Sequence, residues 1–456
     1  MPSQRPNVIV FLTDDQGYAD LSCMGETDFC TPHLDRLAAS GVRFTDWYAN
    51  SSVCSPSRAG LLTGRYPGNA GVRAILAGHR TSTGLPQETP TLATALGDVG
   101  YRTAMIGKWH LGAAEGSRPG DHGFQEWFGF LAGCVDYYSH IFYWSRQYDP
   151  LHDLWENGRE VWRNGEYLTD LITRRAVEFI RRSGADGEPF FLYVPYNAPH
   201  YPMHAPSEYV DRFRHLPPDR RIMAAMLSAV DDGVGAIRAE LERQGLLENT
   251  CIFFQSDNGP SRETRNWLDG RTDPYYGGSA GRLKGHKFSL YEGGIRVPGI
   301  LSWPARIPAG QVVSAPCAGT DVFPTVLQAA GGDLDRYDLD GQDILPIVTG
   351  EAPAPERAIF WELAEQTAVR RGDWKLVLNG RLVEEDTPRD SVHLANLAED
   401  MGERHNLAAE HPEIATDLQR AAEAWRGDLE ERWLAEHPPV VLDPDRGSTP
   451  GRGGSG

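Results

Sequence analysis

Short apolar runs alternate with helix-length amphipathic stretches through the first two thirds of the chain, and this alternation constrains the fold more than any other feature. Asn7–Leu12 is one such run and stops at Thr13-Asp14-Asp15. Arg102–Ile106, Phe190–Tyr196 and Thr250–Ser256 are the others. Runs without polar alternation suit strands covered on both faces. Between them, Pro32–Ser40 reads as a helix stopped by Gly41, and Thr91–Val99, Tyr167–Arg182 and Ile222–Gln244 read as further helices. Strands separated by helices predict an α/β fold, with a large, mostly parallel sheet flanked by helices. In such sheets ligands bind beyond the carboxyl ends of the strands. Asp14 and Asp15 follow one run, His200 a second, and Asp257 and Asn258 a third. That convergence predicts an active site there.

The pattern changes after Gly350. Ala358–Glu362, Ala368–Arg370, Trp374–Leu378 and Val392–Ala395 read as short antiparallel strands, followed by a long helix over Pro412–Glu436. A chain of 456 residues exceeds what one core usually holds. The reading is therefore a catalytic domain over 1–350, a small α+β subdomain over 351–442, and a disordered tail over 443–456 rich in Gly, Pro, Ser and Arg.

A formal charge of −19 does not suit a coat for nucleic acid or an anionic membrane. Positive charge for an anionic substrate must then be concentrated in a pocket. There is no bilayer-length apolar run and no leader-like order of charged, apolar and cleavage regions at the N-terminus. The six cysteines show neither zinc-ligand spacing nor a dense disulfide framework. A cytoplasmic location with free thiols is the expectation.

The chemistry-bearing residues come in two groups. Asp14, Asp15, Asp257 and Asn258 offer three carboxylates and an amide, hard oxygen donors of the kind Ca²⁺ or Mg²⁺ takes. Such residues at strand ends also serve as turn formers and caps. Three carboxylates at one place would repel one another unless a cation sat between them. The second group is Ser52-Val53-Cys54-Ser55-Pro56-Ser57-Arg58, leading into Ala59–Gly64. Pro56 suits a first helical turn, with Ser55 as a candidate cap. Cys54 then lies at a helix N-terminus, with Arg58 one turn on and pointing back to the same end. An isolated cysteine is otherwise an inert buried thiol. A soft thiolate fits poorly beside hard oxygen ligands, which hints that the working group at position 54 is not a thiol.

Cys54-Ser55-Pro56-Ser57-Arg58 with its Thr63-Gly64 ending resembles the signature of the formylglycine-dependent type I sulfatases, in the arylsulfatase and N-acetylgalactosamine-sulfatase branch. Gly100–His110 resembles the family's second signature. Further matching landmarks run in order from Pro6 to Pro304. They include Asp14–Tyr18, Thr31–Asp35, His200-Tyr201-Pro202, Ser256–Pro260, and Lys287 ahead of Glu292–Pro298.

The resemblance implies an alkaline-phosphatase-like sandwich with a smaller C-terminal domain. It implies that a separate maturation enzyme oxidises Cys54 to formylglycine. Asp14, Asp15, Asp257 and Asn258, with position 54, would hold one divalent cation, Ca²⁺ in most of the family, with Mg²⁺ as the alternative. Arg58 would steady the nucleophile, Lys108 and His110 would contact nucleophile and sulfate, and His200 and Lys287 would sit by the leaving-group oxygen. The implied activity is hydrolysis of sulfate monoesters through a covalent sulfo-enzyme intermediate. A sulfated sugar or small glycan is the expected substrate, and aryl sulfates the artificial ones. A phosphate or phosphonate monoesterase of the same fold, and a silent binding protein that keeps the fold, are the competing readings.

Two segments are candidates for reading the substrate. Gly123–Tyr167 is dense in aromatics, among them Trp127, Phe128, Phe130, Tyr137, Tyr138, Phe142, Tyr143, Trp144, Trp155 and Trp162. For any single ring, packing in the core is the better expectation. Arg262–Gly281 carries Arg265, Trp267, Arg271, Tyr275 and Tyr276, and could overhang the pocket. His79, His122 and His140 read as structural.

Overall fold

The computed structural model describes residues 5–25, 28–142, 150–262, 276–382 and 390–436. Its frame is a ten-stranded mixed sheet. The order across it is Gln311–Val313, Val42–Phe44, Gly299–Ser302, Thr250–Ser256, Asn7–Thr13, Phe190–Pro195, Arg102–Lys108, Glu126–Phe130, Trp155–Glu156 and Arg159–Glu160. The central strands from Thr250–Ser256 to Glu126–Phe130 run parallel. The strands on either side join by antiparallel pairings, except that Gln311–Val313 lies parallel to Val42–Phe44.

Alternation along the central strands sorts the core into two layers. Val8, Val10 and Leu12 share one cluster with Met105, Phe191, Tyr193 and Phe253. Ile9 and Phe11 share the other with Ile106, Leu192, Val194 and Phe254. The helices Cys54–Thr63, Leu92–Asp98 and Val322–Ala329 cover the first layer. Pro32–Ala39, Leu168–Asp186 and Pro218–Arg243 cover the second. Coverage on both faces is why these strands carry no polar alternation. The expected helix over Ile222–Gln244 starts earlier, because Pro218 fits its first turn.

Ala358–Leu363, Gln366–Arg371, Trp374–Leu378 and Val392–Asn396 form a second, antiparallel sheet in chain order. Helix Pro412–Glu436 covers one face, where Ala415, Leu418 and Ala422 meet Val369, Leu376 and Leu394. The opposite face, with Ile359, Trp361, Ala368 and Val377, packs on Tyr48, Leu290, Tyr291 and Ile295. We infer a domain boundary near Gly350, between helix Leu345–Val348 and this sheet. The small sheet thus abuts the segment that follows Lys287. Among the described residues no helix is long and apolar enough to cross a membrane, and none of the six cysteines is in a disulfide. The tail 443–456, Tyr143, Trp144, Arg265, Trp267, Arg271 and Tyr275 lie outside the described residues.

Candidate active site

Three parallel strands of the central sheet deliver their carboxyl ends to one place. Asn7–Thr13 leads into Asp14 and Asp15, Thr250–Ser256 into Asp257 and Asn258, and Arg102–Lys108 ends on Lys108 itself. The registers tie them together: Asp257 N donates to Thr13 O at 3.0 Å, and Asp14 N to Ala198 O at 3.1 Å. Asp15 takes a left-handed backbone with φ 65°, a turn that a short acidic residue tolerates. Gly259 and Gly293 are glycines by necessity, since a Cβ on Gly259 would stand 1.9 Å from Gly293 O. That close approach brings the segment carrying Lys287 against the Asp257-Asn258 turn.

Cys54 begins the helix Cys54–Thr63, which Gly64 ends in a left-handed cap. Ser55 is not the cap: Val53 holds that position, and Ser55 Oγ instead accepts from Leu76 N at 3.1 Å. The hydroxyl therefore anchors the segment that crosses in front of the helix. Cys54 Sγ lies 3.5 Å from Asp14 Oδ1 and 4.0 Å from Asp15 Oδ1. Burial pushes the Cys54 thiol well above the ordinary range; Lys108 and Lys287 pull it down, and Asp257 and Asp14 push it up again.

Every one of these groups is buried, and charge is matched against charge. Lys108 Nζ donates to Asp14 Oδ2 at 2.6 Å. Arg58 donates to Asp257 Oδ2 through Nε at 3.0 Å and Nη2 at 2.7 Å, and stands 3.7 Å from Asp14. Lys287 Nζ donates to Asp15 Oδ2 at 3.0 Å and lies 3.5 Å from His200 Nε2. Burial alone would raise Asp14, but Lys108, His200, Arg58 and Lys287 together hold its carboxyl far below the usual range. Asp257 goes the other way, to about 6, through burial and the neighbouring Asp14 charge, despite Arg58. Burial lowers the Lys108 pKa, but Asp14, Cys54 and Asp257 together outweigh burial and Arg58, so it ends raised.

The histidines differ. His110 has a left-handed backbone with φ 56°, and its Nε2 lies 3.1 Å from Leu76 O. A carbonyl only accepts, so Nε2 carries the proton and Nδ1, which has no hydrogen-bond partner, presents a lone pair. Burial, with Lys108 and Arg58 behind it, holds His110 well below its usual pKa and therefore neutral. His200 pairs Nδ1 with Tyr201 O at 2.5 Å, which turns Nε2 toward Lys287 and toward Asp15 Oδ2 at 3.6 Å.

The donors fit a hard cation. Asp14, Asp15, Cys54 and His200 place a ligand atom each within 4.8 Å of one another. Asn258 is fully buried, and its amide oxygen has no hydrogen-bond partner. An orphaned carbonyl-type oxygen beside crowded carboxylates is what a Ca²⁺ or Mg²⁺ site needs. Asp257 stands somewhat apart, with Oδ2 taken by Arg58 and Oδ1 accepting from Asp15 N at 3.1 Å. The structure thus brings together all ten expected positions, with His200 beside the acidic pair.

Other residues at the site carried no sequence signal. Asn197 is 2 % exposed with both amide atoms unpartnered, three residues before His200. The Leu76 carbonyl sets the His110 tautomer, and backbone groups leave no trace in composition. Of the aromatic segment, Trp127, Phe128, Phe130, Tyr137 and Trp155 are core residues. Trp162 is 59 % exposed, and its ring stacks on His152 at 3.6 Å. His122 and His140 are buried away from this cluster. Of the segment after Asn258, Tyr276 is exposed.

Comparison with known proteins agrees with this geometry. The sulfatase family model matches residues 6–332. Mouse arylsulfatase J is 32 % identical over 465 residues, covering 92 % of this chain and 75 % of that protein. Dog N-acetylgalactosamine-6-sulfatase is 34 % identical over 390 residues, covering 82 % and 71 %. The solved structure of Ps i-CgsB in complex with k-i-k-neocarrahexaose superposes with a TM-score of 0.83 at 31 % identity, covering 98 % of this chain and all of that one. The chain belongs to the sulfatase family, the hydrolases of sulfate esters.

Proposed function

We propose that this chain removes sulfate from a sulfated sugar or small glycan, with Cys54, oxidised to formylglycine by a maturation enzyme, as the nucleophilic residue. One observation carries the reading. Cys54 sits at a helix start between two carboxylates and inside a ring of Arg58, Lys108 and Lys287, yet as a thiol it is disarmed by burial. An aldehyde hydrate at that position supplies two hydroxyls on one carbon, one to attack sulfur and one whose deprotonation expels sulfate.

The remaining work falls to the chain's own side chains. Asp14, Asp15, Asp257 and Asn258 would hold one divalent cation, Ca²⁺ by donor type, which screens the charge on the ester oxygens when bound. Arg58 fixes Asp257 and stands one helical turn from position 54. Lys108 supplies positive charge at the nucleophile end, against Asp14. His110, neutral and with Nδ1 unpartnered, offers an acceptor for a hydroxyl proton. Lys287 and His200 stand together, where a cation and an imidazole can take charge and deliver a proton to the leaving oxygen. Carbohydrate sulfate is supported by the similarity to N-acetylgalactosamine-6-sulfatase and to a structure holding a neocarrahexaose.

The test is co-expression with a formylglycine-generating enzyme, mass analysis of the Cys54 peptide, and sulfate release. N-acetylgalactosamine 6-sulfate, carrageenan oligosaccharides and 4-nitrophenyl sulfate are the probes. The converted protein is expected to release sulfate from a carbohydrate. Release from the aryl ester alone removes the carbohydrate assignment, and equal release by unconverted protein removes formylglycine.

A further inference from the structure

Lys287 is followed by Phe288, whose φ is 72°. A left-handed backbone costs a bulky residue of order 1 kcal/mol or more and persists only where its surroundings over-determine it. Here three segments hold the two residues. Lys287 N donates to Pro260 O at 3.0 Å, just past Asp257 and Asn258, and Phe288 N donates to Ser52 O at 3.0 Å, just before Cys54. The third hold comes from the small sheet. Gln366 Nε2 donates to Phe288 O at 2.8 Å, while its Oε1 accepts from Leu290 N at 3.3 Å and from Arg381 N at 3.1 Å. Gln366 is 5 % exposed. One amide therefore grips both sides of the turn that aims the Lys287 side chain back at Asp15 and His200. Two residues on, Glu403 Oε2 accepts from Glu292 N at 2.6 Å, so the C-terminal unit holds this segment twice.

We propose that Gln366 is a positioning residue for Lys287, and that the small sheet is part of the catalytic scaffold. This rests on the reading of Lys287 as the group beside the leaving oxygen. Gln366 touches neither ester nor nucleophile; it sets where the Lys287 ammonium stands. Loss of the clamp lets Phe288 relax toward an ordinary φ and carries the lysine off the leaving oxygen. The penalty must then grow as the leaving group becomes a poorer one.

The experiment uses the converted full chain with Ca²⁺. Gln366→Met keeps the bulk and removes all three bonds, and Gln366→Glu keeps the acceptor for Leu290 N and Arg381 N while losing the donor to Phe288 O. Phenyl sulfate, a poor leaving group, and 4-nitrophenyl sulfate, a good one, are the substrates. Gln366→Met is expected to lower kcat on phenyl sulfate by about 10- to 100-fold, and on 4-nitrophenyl sulfate far less, with KM unchanged. Gln366→Glu is expected to fall between Gln366→Met and the native chain. In the Lys287→Met background, Gln366→Met is expected to add no further loss. Equal losses on the two esters, no loss on either, or fully additive losses with Lys287→Met overturn the inference while leaving the nucleophile assignment intact. If the native converted chain cuts neither ester, the nucleophile assignment fails and this inference falls with it.

Discussion

Among the described residues, two clusters of buried charge invite comparison, and one of them holds the residues of the sulfatase motifs. The first contains Asp14, Asp15, Asp257, Arg58, Lys108 and Lys287. The second lies at the seam under the small sheet and contains Asp46, Glu292, Glu403, Arg296, Arg370 and Lys375. Each sets three acids against three bases. In the seam the acids are shared around. Asp46 meets Arg370 at 2.6 Å and Arg296 at 2.9 Å, and Lys375 meets Glu292 at 2.9 Å and Glu403 at 3.0 Å. Tyr48 adds a hydrogen bond to Glu292 at 2.7 Å. Burial and the nearby Glu292 raise Glu403 despite Lys375, while Lys375, Arg296 and Arg370 overcome burial to lower Glu292. The first cluster adds a thiol facing two carboxylates and an orphaned amide oxygen. Buried charge by itself marks structure as readily as chemistry. A nucleophile-bearing side chain set among the charges is the better sign.

The contrast is open to breaking by mutation. Lys108→Met, with Ca²⁺ present, is expected to lower kcat/KM for 4-nitrophenyl sulfate by about 10²- to 10⁴-fold, with a urea midpoint close to native, because a bound cation also neutralises Asp14. Lys375→Met is expected to do the reverse. It takes the ion-pair partner from Glu403 and leaves Glu292 to Arg296 and Tyr48, and urea unfolding is expected to show a loss of about 3–5 kcal/mol, while the folded fraction keeps most of its activity. If Lys375→Met cost only activity, the seam would have to be redrawn as part of the reaction.

The fold was legible because apolar runs and helix stops were strong local signals. Asn7–Leu12 and Thr250–Ser256 are readable as apolar runs suited to burial on both faces, and Gly41 as a helix stop. The site was legible because strand-end polar residues cluster in such sheets and because the motifs around Cys54 and Lys108 resemble a known family. Ser55 was misread as a cap because a hydroxyl near a helix start has two uses, and only the fold shows that Leu76 N claims it. Gln366 was invisible for a different reason. It lies on a strand remote in sequence, and its partners are backbone groups that any residues could carry.

Metal removal sharpens the comparison further. Chelation is expected to lower the native melting temperature by a few degrees, with Ca²⁺ restoring it, in line with a ligand that binds only the folded chain. Asn258→Ala is expected to weaken that restoration, and Lys375→Met to leave it in place. A melting temperature indifferent to chelation would count against the cation site.

The smallest expected effect lies outside both clusters. Burial holds His122 down to about 4, in contact with Trp109. Its neutral form is the stable one, so its contribution is full above pH 6.5 and is lost as pH falls through 4. That amounts to roughly 3 kcal/mol. His122→Leu is expected to flatten the acid limb of a melting-temperature profile without changing the ratio of activities on the two aryl esters. An unchanged acid limb would assign the loss to other groups.

The central claim is that the first cluster, through position 54, cuts sulfate esters. The most direct measurement compares 4-nitrophenyl sulfate with 4-nitrophenyl phosphate for the converted native chain and for Cys54→Ala. The account predicts preference for the sulfate and a loss on the order of 10⁴- to 10⁶-fold in Cys54→Ala. Preference for the phosphate, or undiminished sulfate cleavage by Cys54→Ala, would contradict it.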